Sequence, residues 1–245
     1  GIAAILHGSP IGLIDAPLDG VAAANAVLQS DQLDARLGNS VASAGDVNGD
    51  GYDDVIIGAS RWDGGIEDEG AAFVFHGGPD GIADGTPVIA STILEGDQFF
   101  ALFGSAVSGA GDVNGDGFAD VVVGANLFDR GQNDEGAAFV FHGSPQGLPD
   151  GSTATADGVI ESDEPNGTLG ASVASAGDIN GDGYADVLVG GPAVDVGAPP
   201  SGVALIFPGS PLGIGSRTPP TPARPRPPPL NLARTARPAP RAPSR

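Results

Sequence analysis

Residues 37–59 read L-G-N-S-V-A-S-A-G-D-V-N-G-D-G-Y-D-D-V-I-I-G-A, and the same text returns twice. From Leu102 it is L-F-G-S-A-V-S-G-A-G-D-V-N-G-D-G-F-A-D-V-V-V-G-A, and from Leu169 it is L-G-A-S-V-A-S-A-G-D-I-N-G-D-G-Y-A-D-V-L-V-G-G. Asp46, Asp112 and Asp178 fix the step at 66 residues. A second block keeps that step: A-A-F-V-F-H-G-G-P-D-G-I from Ala71, A-A-F-V-F-H-G-S-P-Q-G-L from Ala137, and V-A-L-I-F-P-G-S-P-L-G-I from Val203. Asp31, Asp97 and Asp163 form a third marker, and the opening I-A-A-I-L-H-G-S-P-I-G-L is the second block once more. A tandem period of this size means that one small unit stacks on copies of itself, because no unit can bury its apolar face alone. The text divides into the end of a preceding unit (1–36), units at 37–101 and 102–168, an incomplete unit at 169–216, and a tail at 217–245.

Each unit reads as strands. Residues 40–44 and 55–59 are short runs of small and β-branched residues on either side of a Gly-Asp loop, which is a hairpin signal. Residues 71–76 make a third strand, and 88–94 a weaker fourth before Glu95-Gly96-Asp97. No window of a dozen residues carries an apolar stripe at helical spacing, so the chain is all-β. Four strands per repeat, arranged in tandem, is the arithmetic of a β-propeller: four-stranded blades in an incomplete arc of roughly three to four. The high glycine count, 41 of 245 residues, suits inner strands that crowd a common axis.

The Gly-Asp loop has metal-ligand spacing. Asp46, Asn48 and Asp50 stand at positions 1, 3 and 5, Gly51 at 6, Tyr52 at 7 and Asp54 at 9. Alternating oxygen side chains, a glycine at the sharp turn and a backbone carbonyl at position 7 are what a calcium loop requires, since calcium takes about six to eight hard oxygen ligands. The equivalents are Asp112, Asn114, Asp116, Phe118 (carbonyl) and Asp120, then Asp178, Asn180, Asp182, Tyr184 (carbonyl) and Asp186. Asn-Gly and Asp-Gly also make good turns without a metal, but three copies in identical register, each retaining the ninth-position Asp, favour the metal loop over a plain turn. An EF-hand is excluded: its position 12 is a Glu, and here that place holds Ile57, Val123 or Val189 within a strand.

Phe103-Gly104, with Leu37-Gly38 and Leu169-Gly170 as variants, precedes the loop in each copy. Gly58-Ala59-Ser60, Gly124-Ala125-Asn126 and Gly190-Gly191-Pro192 follow it, and only the last ends in Pro. With D-x-N-G-D-G-x-x-D between them, the chain over roughly 1–214 resembles the FG-GAP repeats of the integrin α-subunit β-propeller and their bacterial relatives. The resemblance implies three Ca²⁺ sites on the fifteen positions named above. It also implies an extracellular, non-enzymatic adhesion or ligand-binding module whose protein or carbohydrate ligand meets the blade loops. The absence of Cys and the regularity of the repeats look more bacterial than animal.

Charge narrows the partners. All 31 acidic residues lie at or before Asp195, with only Arg36, Arg61 and Arg130 to oppose them, and the remaining seven of the ten basic residues, all Arg, begin at Arg217. So acidic a body repels phosphate backbones and anionic lipid and attracts cations. A halophilic surface explains the same acidity, and charge alone does not separate the two. No apolar run is long enough to span a membrane as a helix.

Other repeated residues read as structural. His7, His76 and His142 share one position that Pro208 takes in the last copy, so they are turn or packing residues. Asp63, Asp129 and Asp195 cap loop turns; Glu67-Asp68-Glu69 and Asp134-Glu135 form a solvated face; Trp62, the single Trp, sits in a loop as a candidate exposed contact. The tail holds ten Pro and seven Arg in its 29 residues and builds no packed core, so 217–245 is expected to be disordered. Either it is a Pro-rich linker, or it is GC-rich Gly/Asp/Ala coding sequence read out of frame. Three functions stay open: a calcium-stabilised recognition or adhesion module belonging to a longer chain, the propeller scaffold of a larger secreted phospholipase- or lyase-like enzyme, or a truncated gene product.

Overall fold

A computed structural model describes residues 1–8, 24–194 and 202–217. Among them the regular elements are strands, apart from two 3-10 turns at Pro87–Ile89 and Thr153–Thr155. β1 (Ile2–Ile5) and β2 (Ala26–Gln29) form an antiparallel pair. β3 (Leu37–Gly45), β4 (Asp54–Ala59), β5 (Ala71–Phe75) and β6 (Thr92–Glu95) form the first four-stranded blade. β7 (Phe103–Gly111), β8 (Asp120–Ala125), β9 (Ala137–Phe141) and β11 (Gly158–Glu161) form the second, while β10 (Gly151–Ser152) adds in parallel to β6 of the blade before. β12 (Ser172–Gly177), β13 (Asp186–Gly191) and β14 (Val203–Phe207) make a three-stranded blade. The register repeats with the sequence: Val55 faces Phe75, Val121 faces Phe141 and Val187 faces Phe207. This is the all-β propeller architecture that the repeat implies. Among the described residues no helix is long and apolar enough to cross a membrane.

The fourth strand differs from the expectation. It runs over Thr92–Glu95 rather than from residue 88, because Pro87–Ile89 closes into a 3-10 turn. Proline carries no N–H and its fixed φ suits the first position of such a turn. Val88 is left 86% exposed, so its apolar character misled the strand reading.

Two links join each blade to the next. The stretch after the third strand returns to the fourth strand of the preceding blade, as parallel bridges of Gly85 to Leu28 and of Arg217 to Ile160, and as β10 on β6. The residue before each third strand bridges the next blade's first strand, Gly70 to Phe103 and Gly136 to Leu169. Arg217 therefore corrects the tail reading at its first residue: its N–H donates to the Val159 carbonyl (2.7 Å), and its carbonyl accepts from the Glu161 N–H (3.1 Å). The rest of the tail, 218–245, lies outside the described residues.

The core lies between blades. Phe103 packs with Phe139 and Phe141, at ring distances of 5.7 and 6.3 Å, within a cluster that also holds Ile56, Val74 and Leu94 of the blade before. Leu169 repeats the arrangement against Val122, Ala138 and Val140. Such close approach needs glycine. A Cβ on Gly58 would lie 2.0 Å from the Gly104 carbonyl oxygen, and Gly104 itself takes φ +79° with Ala71 O 2.2 Å from its missing Cβ. The hydrophobic–Gly pair is thus a backbone-to-backbone seat, which explains why small residues recur there.

Candidate metal centres

Each first strand ends in a register shift, between Ser43 and Gly45, Gly109 and Gly111, and Ser175 and Gly177. A bulge there bends the chain out of the ladder and delivers Asp46, Asp112 or Asp178 to the start of the loop. Asp46 Oδ1 accepts the N–H groups of Gly49 (2.7 Å) and Asp50 (3.0 Å), and Oδ2 accepts that of Gly51 (2.8 Å). Asn48 Oδ1 accepts the Asp50 N–H (2.9 Å), while its Nδ2 donates to Asp50 Oδ2 (2.9 Å). Asp50 Oδ1 accepts the Tyr52 N–H (2.9 Å). Asp112, Asn114, Asp116 and Phe118 reproduce this network, and Asp178, Asn180 and Asp182 accept the equivalent backbone N–H groups in the third loop, that of Tyr184 among them.

The ninth-position Asp behaves differently. Asp54, Asp120 and Asp186 are fully buried at the base of the loops. One oxygen of each accepts from inside the loop, from Val47, Val113 or Ile179, and the other accepts from Gly77, Gly143 or Gly209 after the third strand. Burial pushes the Asp54 carboxyl up against the pull of those N–H donors, and the same cause pushes Asp120 up to about 6. Asp46 shifts the other way: burial opposes ionisation, but four backbone N–H donors outweigh it and hold the carboxyl below its usual value. At Asp178 the Gly183 N–H is the leading cause of the same lowering.

The structure brings the fifteen candidate residues into three equivalent loops, but not into closed coordination shells. Among the described residues no three acidic or histidine side chains converge as a metal cluster. The loop carboxylates instead accept N–H groups of their own turn, and the Asn48 and Asn114 amides reach Asp50 and Asp116. The donor chemistry fits calcium all the same. It is oxygen throughout, and each carboxylate keeps at least one lone pair beyond the bonds it accepts: Asp46 takes three N–H groups on about four lone-pair sites. The buried Asp54 and Asp120 carry no Arg salt bridge among the described residues, so a bound cation would supply the charge that burial denies them.

Position 7 does more than offer a carbonyl. A Cβ on Gly49 would lie 2.6 Å from the Phe118 ring, and one on Gly115 would lie 2.6 Å from the Tyr184 ring. The aromatics of the second and third loops therefore cover the glycine turn of the loop before them. The Ala119 N–H reaches the Asp46 carbonyl (3.0 Å) and the Ala185 N–H reaches the Asp112 carbonyl (2.8 Å), so the loops stand in one row.

Family comparison agrees with this geometry. The FG-GAP repeat family matches residues 37–75, 103–141 and 169–207, each match running from the first strand through the third. The chain is an FG-GAP repeat protein. It is 32% identical to Integrin alpha-5 of Xenopus laevis over 187 residues, 74% of this chain and 16% of that protein. It is 35% identical to Integrin alpha-IIb of Homo sapiens over 169 residues, and 33% identical to Integrin alpha-PS2 of Drosophila melanogaster over 167. These matches span 15% and 12% of those relatives, so this FG-GAP, integrin-α-like propeller corresponds to a small part of each.

Several side readings of the FG-GAP units change in the structure. Trp62 is not an exposed contact: its ring meets Phe73 edge-on at 5.1 Å, against the core between β1 and the first blade. Glu69 and Glu135, read as part of a solvated face, are each only 2% exposed. Glu69 accepts the N–H groups of Gly64 (2.9 Å), Ile66 (3.1 Å) and Asp97 (3.0 Å), and so ties the loop after β4 to the loop after β6. Their exact repetition 66 residues apart was the available signal. Asp63 and Asp129 do cap their loops, accepting from Asp68 and Asp134, whereas Asp195 lies outside the described residues. His7, His76 and His142 pack against Gly81, Gly147 and Gly213, as packing residues should.

Proposed function

We propose that this chain is a non-enzymatic, calcium-binding recognition or adhesion module that works outside the cytosol. The observation that carries the reading is the threefold loop with a fully buried carboxylate at its base, in a propeller similar to integrin α chains. Asp46, Asn48, Asp50, Asp54 and the Tyr52 carbonyl would hold the first ion. Asp112, Asn114, Asp116, Asp120 and the Phe118 carbonyl would hold the second, and Asp178, Asn180, Asp182, Asp186 and the Tyr184 carbonyl the third. Bound there, calcium supplies positive charge that draws the loop carboxylates together. The residues themselves do the positioning: the bulge and the N–H donors fix position 1, and the strand ladder fixes position 9. Extracellular calcium modules bind at about 10⁻⁴–10⁻³ M, a range that cytosolic calcium does not reach.

A recognition role is supported by the loops after β2, β4 and β6. Leu33 and Phe99 are 87% and 62% exposed at equivalent repeat positions, with Ile66 and Phe100 beside them. These loops share one end of the blades, because the Phe100 N–H donates to the Glu67 carbonyl (3.3 Å) and Gln32 Nε2 to that of Asp63 (3.0 Å). Exposed apolar side chains grouped among acidic ones suit a protein ligand better than a carbohydrate.

Calorimetric titration of the full chain with CaCl2 tests the reading. We expect three ions per chain, and two for Asp116→Ala with its fold intact by circular dichroism. Wild-type heat indistinguishable from buffer, or an unchanged count in Asp116→Ala, would sink the assignment.

A further inference from the structure

The first two blades answer one electrostatic problem in different ways. In each, the loop after the second strand meets the loop after the fourth, and the first of these loops carries a glutamate that is only 2% exposed, Glu69 or Glu135. Glu69 Oε1 accepts the Gly64 N–H (2.9 Å) and its Oε2 accepts that of Asp97 (3.0 Å), while Glu135 Oε1 accepts the Arg130 N–H (2.6 Å). A second glutamate, at the end of the fourth strand, faces the first: Glu95 beside Glu69, and Glu161 beside Glu135.

Position 64 and its repeat equivalent 130 separate the two blades. In the second blade this is Arg130, whose Nε stands 3.2 Å from Glu161 Oε2. Burial still raises the Glu135 carboxyl, but its neighbour Glu161 already meets a guanidinium. In the first blade the position is Gly64, which brings no charge. Glu95 Oε1 and, at 3.0 Å, Glu69 Oε1 both border the point where a Gly64 Cβ would stand. Arg61 does not replace the missing cation, since it pairs with Asp68 (3.7 Å) and lies over the Phe100 ring at 5.8 Å. The other groups that face Glu95 are Asp97 and Asp150, both acidic, and the Trp62 indole N–H.

We propose that Glu69 and Glu95 form a proton-operated latch between the loops after β4 and β6. The proton sits on Glu95, because Glu69 spends both oxygens on the N–H groups of Gly64, Ile66 and Asp97. Protonated Glu95 donates its O–H to Glu69, and the proton takes the place that the Arg130 charge holds in the second blade. Loss of the proton sets two carboxylates against each other across the joint and loosens it. Burial raises the Glu95 carboxyl above its usual 4.5, and the charges of Glu69 and Asp97 raise it further, against the hydrogen bond from Trp62. With the folded value raised, the latch's contribution is fully present below the unfolded value and is lost as pH rises through the folded one. The latch joins the loops that carry Ile66, Phe99 and Phe100, and it does not rest on what those residues bind.

Trp62, the single Trp, is the reporter. In the full chain at saturating CaCl2, its fluorescence should pass through one transition centred above 4.5. Glu95→Gln should abolish the transition, and Gly64→Arg should lower its midpoint by about one pH unit or more by restoring the second blade's cation. Gly64 is exposed with no left-handed φ, and the group nearest its Cβ is the movable end of Glu95, so the arginine fits. Amide exchange at Gly64, Ile66 and Asp97 reads the latch itself. It should be faster in the wild type than in Glu95→Gln at about pH 7, and equal in the two at about pH 4. Fluorescence flat from about pH 4 to 7 would overturn the proposal. So would a transition that survives Glu95→Gln, a midpoint unmoved by Gly64→Arg, or exchange that matches between wild type and Glu95→Gln at both pH values.

Discussion

Removing calcium with EGTA should lower the melting temperature of this protein by about 10 °C. If each loop binds at about 10⁻⁴ M and free calcium is about 1 mM, each ion adds roughly 1.4 kcal/mol by mass action. Three independent loops then give about 4 kcal/mol, against a typical net stability of about 5–15 kcal/mol. For a chain of this size each kcal/mol moves the midpoint by about 2–4 °C.

The pH response should reverse with calcium. Without the ion, burial raises the Asp54 carboxyl, and that of Asp120 to about 6 from 3.8. Folding then favours the protonated acid. This contribution is fully present below the unfolded value near 3.8 and is lost as pH rises through about 6. The EGTA-treated protein should therefore melt higher at about pH 5 than at about pH 7. With calcium the order inverts, because protons compete with the ion for the same oxygens. Asp46 and Asp178, both held below 3.8, titrate beneath this window and do not disturb the comparison. Melting curves at both pH values, with and without EGTA, read all four states. A protein indifferent to EGTA that unfolds when about 2 M NaCl is withdrawn would be a halophile whose acidity serves its surface.

Gly58→Ala should destabilise the fold by about 3 kcal/mol or more, which is large for a single methyl group. The added carbon would stand 2.0 Å from the Gly104 carbonyl oxygen, and both partners are backbone inside a ladder, so neither can rotate aside. Relief requires the first two blades to separate, which opens the core around Phe103, Val107 and Phe139. The same substitution at Gly190 should cost much less. There the nearest atom is the Ser172 Oγ at 2.3 Å, the free end of a side chain that can change rotamer. Urea unfolding of the two variants measures the difference. Equal losses would mean that the hydrophobic–Gly pair is not the seat between blades.

Much of this was legible because a repeat multiplies weak signals. One D-x-N-G-D-G is an ordinary turn, but three in register located the strands on both sides, the loop start at Asp46 and the ninth position at Asp54, whose burial only the structure shows. The fourth strand was harder to place, since Pro87-Val88-Ile89 is apolar and only the 3-10 turn moves it out of the ladder. Glu69 and Glu135 were misread because a charged loop residue is ordinarily solvated. Their burial depends on N–H donors from two separate loops, and composition carries no sign of that convergence. Trp62 was misplaced for a related reason: its partner Phe73 lies eleven residues on, across a turn that only folding closes. The covering of Gly49 by Phe118 was invisible too, because it joins side chain and turn from neighbouring blades.

The most direct test of the calcium assignment is anomalous scattering from crystals of the full chain grown with CaCl2. The account predicts three peaks, each about 2.3–2.6 Å from its loop oxygens, with Asp46 and Asp54, Asp112 and Asp120, and Asp178 and Asp186 as the flanking carboxylates. Loops without peaks at saturating calcium, or peaks confined to other acidic groups such as Glu69 and Glu95, would contradict it.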